Sequence, residues 1–164
     1  MNSPNGADGS TVVLTIPMRA EYVSIARLTA AGVANRLGFD IETIEDIKVS
    51  LSEVCNRIIS TQCKSPGYDK AECKIVFNSN SDSLGMDFYV NNIESVDIFS
   101  SDEFPSEIIG IADMDLTEKK ENAGQPADYC YENQLQLSLI HLLMDEFVVN
   151  PNESCLVSMK KFLD

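Results

Sequence analysis

Three polar side chains with a spacing suited to chemistry stand in the stretch LSEVCNRII, residues 51–59. On a helix, Glu53 and Arg57 lie one turn apart and about 40° from each other, whereas Asn56 lies about 100° round from Arg57. A glutamate four residues before an arginine also forms a surface ion pair worth roughly 0.2–0.5 kcal/mol. The spacing therefore predicts either an active site or a solvated salt bridge on the outer face of a helix.

Other residue types argue against metal and thiol chemistry. His141 is the only histidine, and the five cysteines include no C-x-x-C pair. Neither a zinc site nor a Cys–His nucleophile is predicted from such a set, and His141 is assigned a surface or packed structural role. The only G-x-x-G stretch, GADG, lies in the N-terminal tail, so no phosphate-wrapping loop is predicted in the folded part.

The charge of the chain limits its partners. Twelve lysines and arginines stand against 26 aspartates and glutamates, which gives a net charge of −14. Such a field repels nucleic acid and anionic lipid, so neither is expected as a partner. Two interpretations stay open: a protein partner with a basic face, or acidity that serves solubility alone. An odd cysteine count and the absence of a long apolar run favour a reducing cytoplasm.

Length and composition predict one domain. The chain has 164 residues, of which 44% are hydrophobic, and this suits a single core that folds alone. Residues 1–10, rich in Asn, Gly, Ser and Pro, are the predicted flexible tail, and 11–164 the folded domain. An acidic segment at about 93–130 is the predicted long, lid-like loop.

Hydrophobic periodicity predicts the order of helices and strands. The predicted elements are a strand in STVVLTIP, helices at 20–37 and 42–62, a hairpin in ECKIVFNSNSDSLGMDFYVNN, a helix near 132–144, and strands in EFVVN and SCLVSMKKFL. Gly38 is the expected C-cap of the first helix and Asp40 the expected N-cap of the second. This order predicts an α+β fold with helices packed on one face of a sheet.

Each of the first two helices carries an apolar stripe that we expect to face the core. In the first helix the stripe consists of Val23, Ala26, Ala30, Val33 and Leu37. In the second helix it consists of Ile44, Ile47, Leu51, Val54, Cys55 and Ile58.

Two long stretches resemble a known family. IPMRAEYVSIARLTAAGVANRLGFDIETIEDIKVSLSEVCN and LIHLLMDEFVV are similar to the anti-sigma factor serine kinases of the GHKL ATPase superfamily, which hold bacterial stress and sporulation sigma factors inactive. The likeness covers about residues 11–95 and 132–163 and is most specific in its first half. It implies a two-layer sandwich, with helices on one face of a mixed, mostly antiparallel sheet and ATP held between helix and lid.

The resemblance implies a nucleotide site whose key positions are altered here. Glu53 matches the family's general base, but Arg57 stands where the family has a magnesium-binding asparagine, and Asn56 is one residue early. A guanidinium has no lone pair to offer a metal. Asn92 replaces an adenine-contacting aspartate, and Asn133 a phosphate-binding glycine. The resemblance thus implies a vestigial base, four degraded nucleotide-binding positions and no cofactor.

The resemblance assigns the partner surface to Arg27, within SIARLT. This arginine matches one that the family presents to the sigma factor and to the competing antagonist protein. A planar guanidinium suits an interface because it makes bidentate bonds and is weakly hydrated. A plain solvent-facing role for Arg27 stays open. The family's dimer contact uses the first strand and helix, so we expect a homodimer or a heterodimer with a related protein.

Two functions follow from these patterns. In the first, the chain is a regulatory binding protein that sequesters a sigma factor or related regulator without hydrolysing ATP. In the second, it is a divergent ATP-dependent serine kinase that phosphorylates an anti-sigma factor antagonist. Glu53 is then the base, Arg57 contacts phosphate in place of the metal, and only this alternative requires ATP and magnesium.

Overall fold

The computed structural model of the chain describes residues 9–62, 70–91, 137–149 and 154–163. Its elements are β1 Ser10–Pro17, α1 Ala20–Leu37, α2 Ile41–Gln62, β2 Glu72–Ser79, β3 Ser83–Val90, β4 Glu146–Val149 and β5 Val157–Phe162. Residues 137–143 are also helical and belong to the predicted third helix. The predicted loop at about 93–130 lies outside the described residues, as does most of the predicted tail.

The five strands form one sheet in the order β1-β2-β3-β5-β4. Every pairing between these strands is antiparallel, as in Ile75↔Phe88 between β2 and β3 and Met86↔Met159 between β3 and β5. The predicted α+β class is therefore confirmed, and the sheet that was expected to be mixed is antiparallel throughout its described part.

One face of the sheet packs against the helices and forms the core. Alternate residues of β2 and β3 point into it, and Phe77 and Phe88 are fully buried there. They belong to one apolar cluster with the buried stripes of α1 and α2. Both stripes lie where periodicity placed them, although Ile44 and Leu37 are only partly buried. The result is the predicted two-layer arrangement.

The opposite face of the sheet carries a chain of polar side chains across four strands. Thr11 Oγ1 donates to Asn78 Oδ1 at 3.2 Å, and Asn78 Nδ2 donates to Asp87 Oδ2 at 3.0 Å. Ser158 Oγ donates to the other carboxylate oxygen of Asp87 at 2.6 Å. These bonds satisfy polar groups on the face that the helices leave open.

The junction between α1 and α2 is set by local backbone chemistry. Gly38 adopts the left-handed conformation at φ 93°, and its N–H donates to the carbonyl of Asn35 at 3.0 Å. Asp40 Oδ1 then accepts from the backbone N–H of Thr43 at 2.7 Å, which lowers the pKa of Asp40. Both predicted caps are confirmed, and α2 begins at Ile41, one residue before the predicted start.

The far end of α1 is tied to the sheet by Arg36. Its guanidinium donates to Ser79 Oγ at 3.1 Å and to Ser10 Oγ. Ser79 Oγ in turn donates to the carbonyl of Ser10 at 2.9 Å. α1 is thus anchored over the β1–β2 edge of the sheet, which leaves its other side beside α2. Within the described ranges, no helix has the length and apolar character needed to cross a membrane.

Candidate functional site

Polar side chains line both flanks of the buried stripe of α2. We call Glu53 and Arg57 the box flank, and Lys48, Ser52 and Asn56 the groove flank. Counted round the helix from Leu51 in the middle of the stripe, Lys48, Ser52 and Asn56 lie to one side and Glu53 and Arg57 to the other, with Asn56 about 100° from Arg57. The sequence assigned Glu53, Asn56 and Arg57 to one degraded site while noting that Asn56 points away from Arg57, and the structure puts Asn56 on the groove flank.

On the box flank the arginine is buried. Arg57 is 8% exposed, and Glu53 is half-buried. Ion pairs recorded between described residues join Lys48 to Glu45, Lys160 to Glu146 and Lys161 to Asp145, and none of them joins Glu53 to Arg57. The prediction of a solvated surface salt bridge is therefore wrong for this pair.

Helix geometry explains why Arg57 is buried. Its position is about 60° round the helix from Val54, at the border of the apolar stripe, whereas Glu53 lies further out. The long aliphatic stem of an arginine can follow such an apolar border. A guanidinium carries a fixed positive charge in proteins, buried or not. The box flank therefore holds a fixed cation one turn after a carboxylate.

On the groove flank α2 faces α1 across an open groove of about 490 Å³. The groove is lined by Ala20, Val23, Ser24, Arg27 and Leu28 of α1 and by Lys48, Ser52 and Asn56 of α2. Arg27 is half-buried, and Asn56 is exposed. The structure thus brings the predicted partner-binding residue Arg27 to the same groove as Asn56, which the sequence assigned to a degraded nucleotide site.

From the sequence, two residues of this groove, Lys48 and Ser52, were not predicted as site residues. Lys48 Nζ donates to Glu45 Oε1 at 2.5 Å, and Ser52 Oγ donates to the carbonyl of Lys48 at 2.7 Å. Their spacing of four residues, continued by Asn56, is a signal that they share a flank. That α1 packs beside this flank depends on tertiary structure, and no local pattern indicated it.

Two predicted site residues, Asn92 and Asn133, lie outside the described residues. Their assignment to a degraded nucleotide site stays a prediction. The same holds for Glu53 as a vestigial base, since its half-buried position fits a catalytic and a structural role equally well.

Thiol and metal chemistry find no support in the described part of the chain. Burial raises the pKa of the Cys55 thiol to about 12, so it stays protonated and unreactive at neutral pH. No group of three or more His, Cys, Asp or Glu side chains in these ranges could hold a metal. His141 is exposed and lies edge-on to Phe147 with ring centroids 5.0 Å apart, and partial desolvation lowers its pKa, which fits the predicted surface or packed structural role.

The sequence of the chain was compared with those of known proteins. No protein-family model matches the chain. The serine-protein kinase RsbW of Bacillus cereus strain Q1 is 35% identical over 159 residues, covering 93% of this chain and 84% of that protein. RsbW of Bacillus cereus strain G9842 is 36% identical over 152 residues with the same coverage. The chain therefore belongs to the RsbW family of serine-protein kinases, the anti-sigma factor kinases that its sequence resembles.

Proposed function

We propose that this chain is an anti-sigma-type regulatory protein that sequesters a sigma factor, or a related regulator, by protein–protein contact and without hydrolysing ATP. The observation that carries the proposal is Arg57, a buried cation 8% exposed and one turn after Glu53. The resemblance places a magnesium-binding asparagine at this position. A guanidinium cannot ligate a metal, and its charge repels one. We expect the protein to act without a cofactor and to be located in the cytoplasm.

The partner surface in this proposal is the side of α1 that carries Arg27. This arginine is half-buried beside α2, so its guanidinium is partly preorganised for bidentate contact with a carboxylate. Leu28, its neighbour in the groove, is 71% exposed and offers apolar area. A sigma factor or an anti-sigma antagonist is the proposed partner, with neither nucleic acid nor membrane bound directly.

A dimer is also part of the proposal. β1 is an edge strand of the described sheet, and its Val12 and Val13 are 38% and 57% exposed. An apolar edge of eight residues needs cover in solution. A second copy, or a related family member, covers it in the proposed assembly. Sedimentation of the purified chain at several concentrations measures this, and a monomer at all concentrations would remove the homodimer.

The second candidate function is a divergent serine kinase. It is favoured by the name of the relatives, which are serine-protein kinases, and by the retained Glu53. In this alternative Glu53 is the general base, and Arg57 binds phosphate oxygens directly. ATP and magnesium are then required, and the substrate is an anti-sigma factor antagonist.

Calorimetry separates the two functions. The purified chain is titrated with ATP and with ADP, each with and without magnesium, and then with sigma factors and antagonist proteins of the source organism. We expect binding of one protein partner and no nucleotide binding tighter than millimolar. Micromolar nucleotide binding together with transfer of labelled phosphate to an antagonist would establish the kinase instead.

A further inference from the structure

We infer that the groove between α1 and α2 receives an acidic, partly apolar segment of the protein partner, and that Lys48 and Asn56 of α2 contact this segment together with Arg27 of α1. The inference rests on the proposed function and deepens it. It names the chemistry of the segment that the partner surface accepts, and it adds a second helix to that surface.

Charge is the first reason. Among the described residues, the groove lining includes two cations, Arg27 and Lys48, and no carboxylate. The whole chain, in contrast, has 26 acidic residues against 12 basic ones. Two cations in one groove of so acidic a molecule form a local positive patch that attracts carboxylates and repels basic segments. An acidic segment is the complementary occupant.

The ion pair between Lys48 and Glu45 does not prevent this contact. Its two side chains are 20% and 54% exposed, and Glu45 is not part of the groove lining. A pair this exposed contributes little, because water screens it. An incoming carboxylate can therefore share the lysine ammonium, which has three N–H donors.

Apolar area is the second reason. Leu28 is 71% exposed at the groove, whereas Val23, which also lines it, is 7% exposed. A volume of about 490 Å³ is large enough for several side chains of a docked segment. Leucine or valine side chains of the partner would cover Leu28 while their acidic neighbours reach the two cations.

Hydrogen-bonding capacity is the third reason. Asn56 is exposed at the groove and its amide has no hydrogen-bond partner among the described residues, so it can both donate to and accept from a docked backbone. Ser52, in contrast, already donates to the carbonyl of Lys48 at 2.7 Å. The polar contacts of α2 with the partner are therefore assigned to Asn56 and Lys48.

The test uses the full chain and the sigma factor of the source organism that the unmodified chain binds. Affinity is measured by calorimetry for Lys48→Glu, Asn56→Ala and the matched control Lys74→Glu. Lys74 lies on β2 over the ring of Tyr89, 4.6 Å from its centroid, on the open sheet face. We expect at least tenfold weaker binding for Lys48→Glu, several-fold weaker binding for Asn56→Ala, and less than twofold change for Lys74→Glu. Thermal unfolding confirms that each variant is folded.

Photo-crosslinking then locates the occupant. A benzophenone amino acid is placed at Leu28 in the groove and, as the control, at Val148, which is 48% exposed on β4. We expect the groove probe to label an acidic, leucine- or valine-containing segment of the sigma factor, and the control to label none. Labelling of a second copy, or of the chain itself, would overturn the inference.

The outcomes distinguish the inference from the function on which it rests. If the unmodified chain binds neither a sigma factor nor an antagonist, the proposed function fails and the inference fails with it. If it binds and Lys48→Glu, Asn56→Ala and Lys74→Glu all bind equally well, only the inference is overturned.

Discussion

The box flank and the groove flank of α2 lie on one helix and differ in where their cation is placed and in what lies beside it. On the groove flank Asn56 is exposed, and Lys48 shares an open groove with Arg27. On the box flank Arg57 is 8% exposed at the position where the family's metal ligand is expected. An open flank can bind a partner, whereas a flank filled by a buried cation is poorly suited to a metal-bound nucleotide. The contrast teaches that two sides of one helix can differ in exposure and surroundings while sharing the same buried stripe.

The largest effect is expected from removing the support that both flanks share. Leu51 is fully buried in the stripe between them, so Leu51→Ala loses buried area and leaves a cavity. We expect a loss of about 2–5 kcal/mol in the free energy of unfolding, measured in urea. Ile41→Ala is the control, because Ile41 lies on the same helix at 82% exposure and should change stability by less than about 0.5 kcal/mol. Equal losses for the two variants would contradict the assigned stripe.

The next change replaces the buried arginine of the box flank. Arg57→Asn removes the fixed cation and supplies an amide oxygen that can ligate magnesium. We expect binding of magnesium ADP to tighten by about tenfold, or 1.4 kcal/mol, in calorimetry. Asn56→Ala, on the groove flank, should leave nucleotide binding unchanged. Weaker binding by Arg57→Asn would favour the kinase, in which the guanidinium contacts phosphate.

A smaller effect tests the helix start that both flanks depend on. Asp40→Ala removes the oxygen that accepts from Thr43, and we expect the Tm to fall by roughly 2–4 °C. The pKa of Asp40 is lowered in the folded chain, so its ionised form is the one that stabilises the fold. This stabilisation is present above the ordinary value of 3.8 and is lost as the pH falls through the lower folded pKa.

Asp40→Asn separates the cap from its charge. Asparagine caps a helix about as well as aspartate, so the Tm at neutral pH should be kept. The part of the acid sensitivity that comes from Asp40 should disappear in thermal scans between pH 5 and 2. An unchanged pH profile in this variant would show that Asp40 does not contribute to acid unfolding.

The smallest effect concerns the ion pair beside the groove. Lys48→Ala should lower the free energy of unfolding by only about 0.2–0.5 kcal/mol, since the pair with Glu45 is partly exposed. A double-mutant cycle with Glu45→Ala measures the pair itself. A coupling above about 1 kcal/mol would mean that Lys48 is a structural residue, and it would remove the reason for treating the groove flank as a binding surface.

Local features were predicted correctly because their causes lie within a few residues. Gly38 ends α1 because only glycine adopts φ 93° without strain, and Asp40 starts α2 because its carboxylate reaches the N–H of Thr43. The apolar stripe of α2 follows from a period of 3.6 residues, and Leu51 and Ile58 are fully buried as expected. The β2–β3 hairpin was within reach of these patterns, but the pairings of β1 with β2 and of β3 with β5 were not, since they join strands distant in the chain.

By itself the sequence determined where α1 and α2 begin and end to within one residue, which side of each faces the core, and which family the chain resembles. Only the tertiary structure decided what lies beside the two flanks of α2. Arg57, for which a site and a solvated surface pair were both predicted as possible, is buried, and Asn56, assigned to a degraded nucleotide site, lies in a groove with Arg27. The physical reason is that helix periodicity gives the angle of a side chain about its own axis, whereas its exposure depends on which other elements pack there.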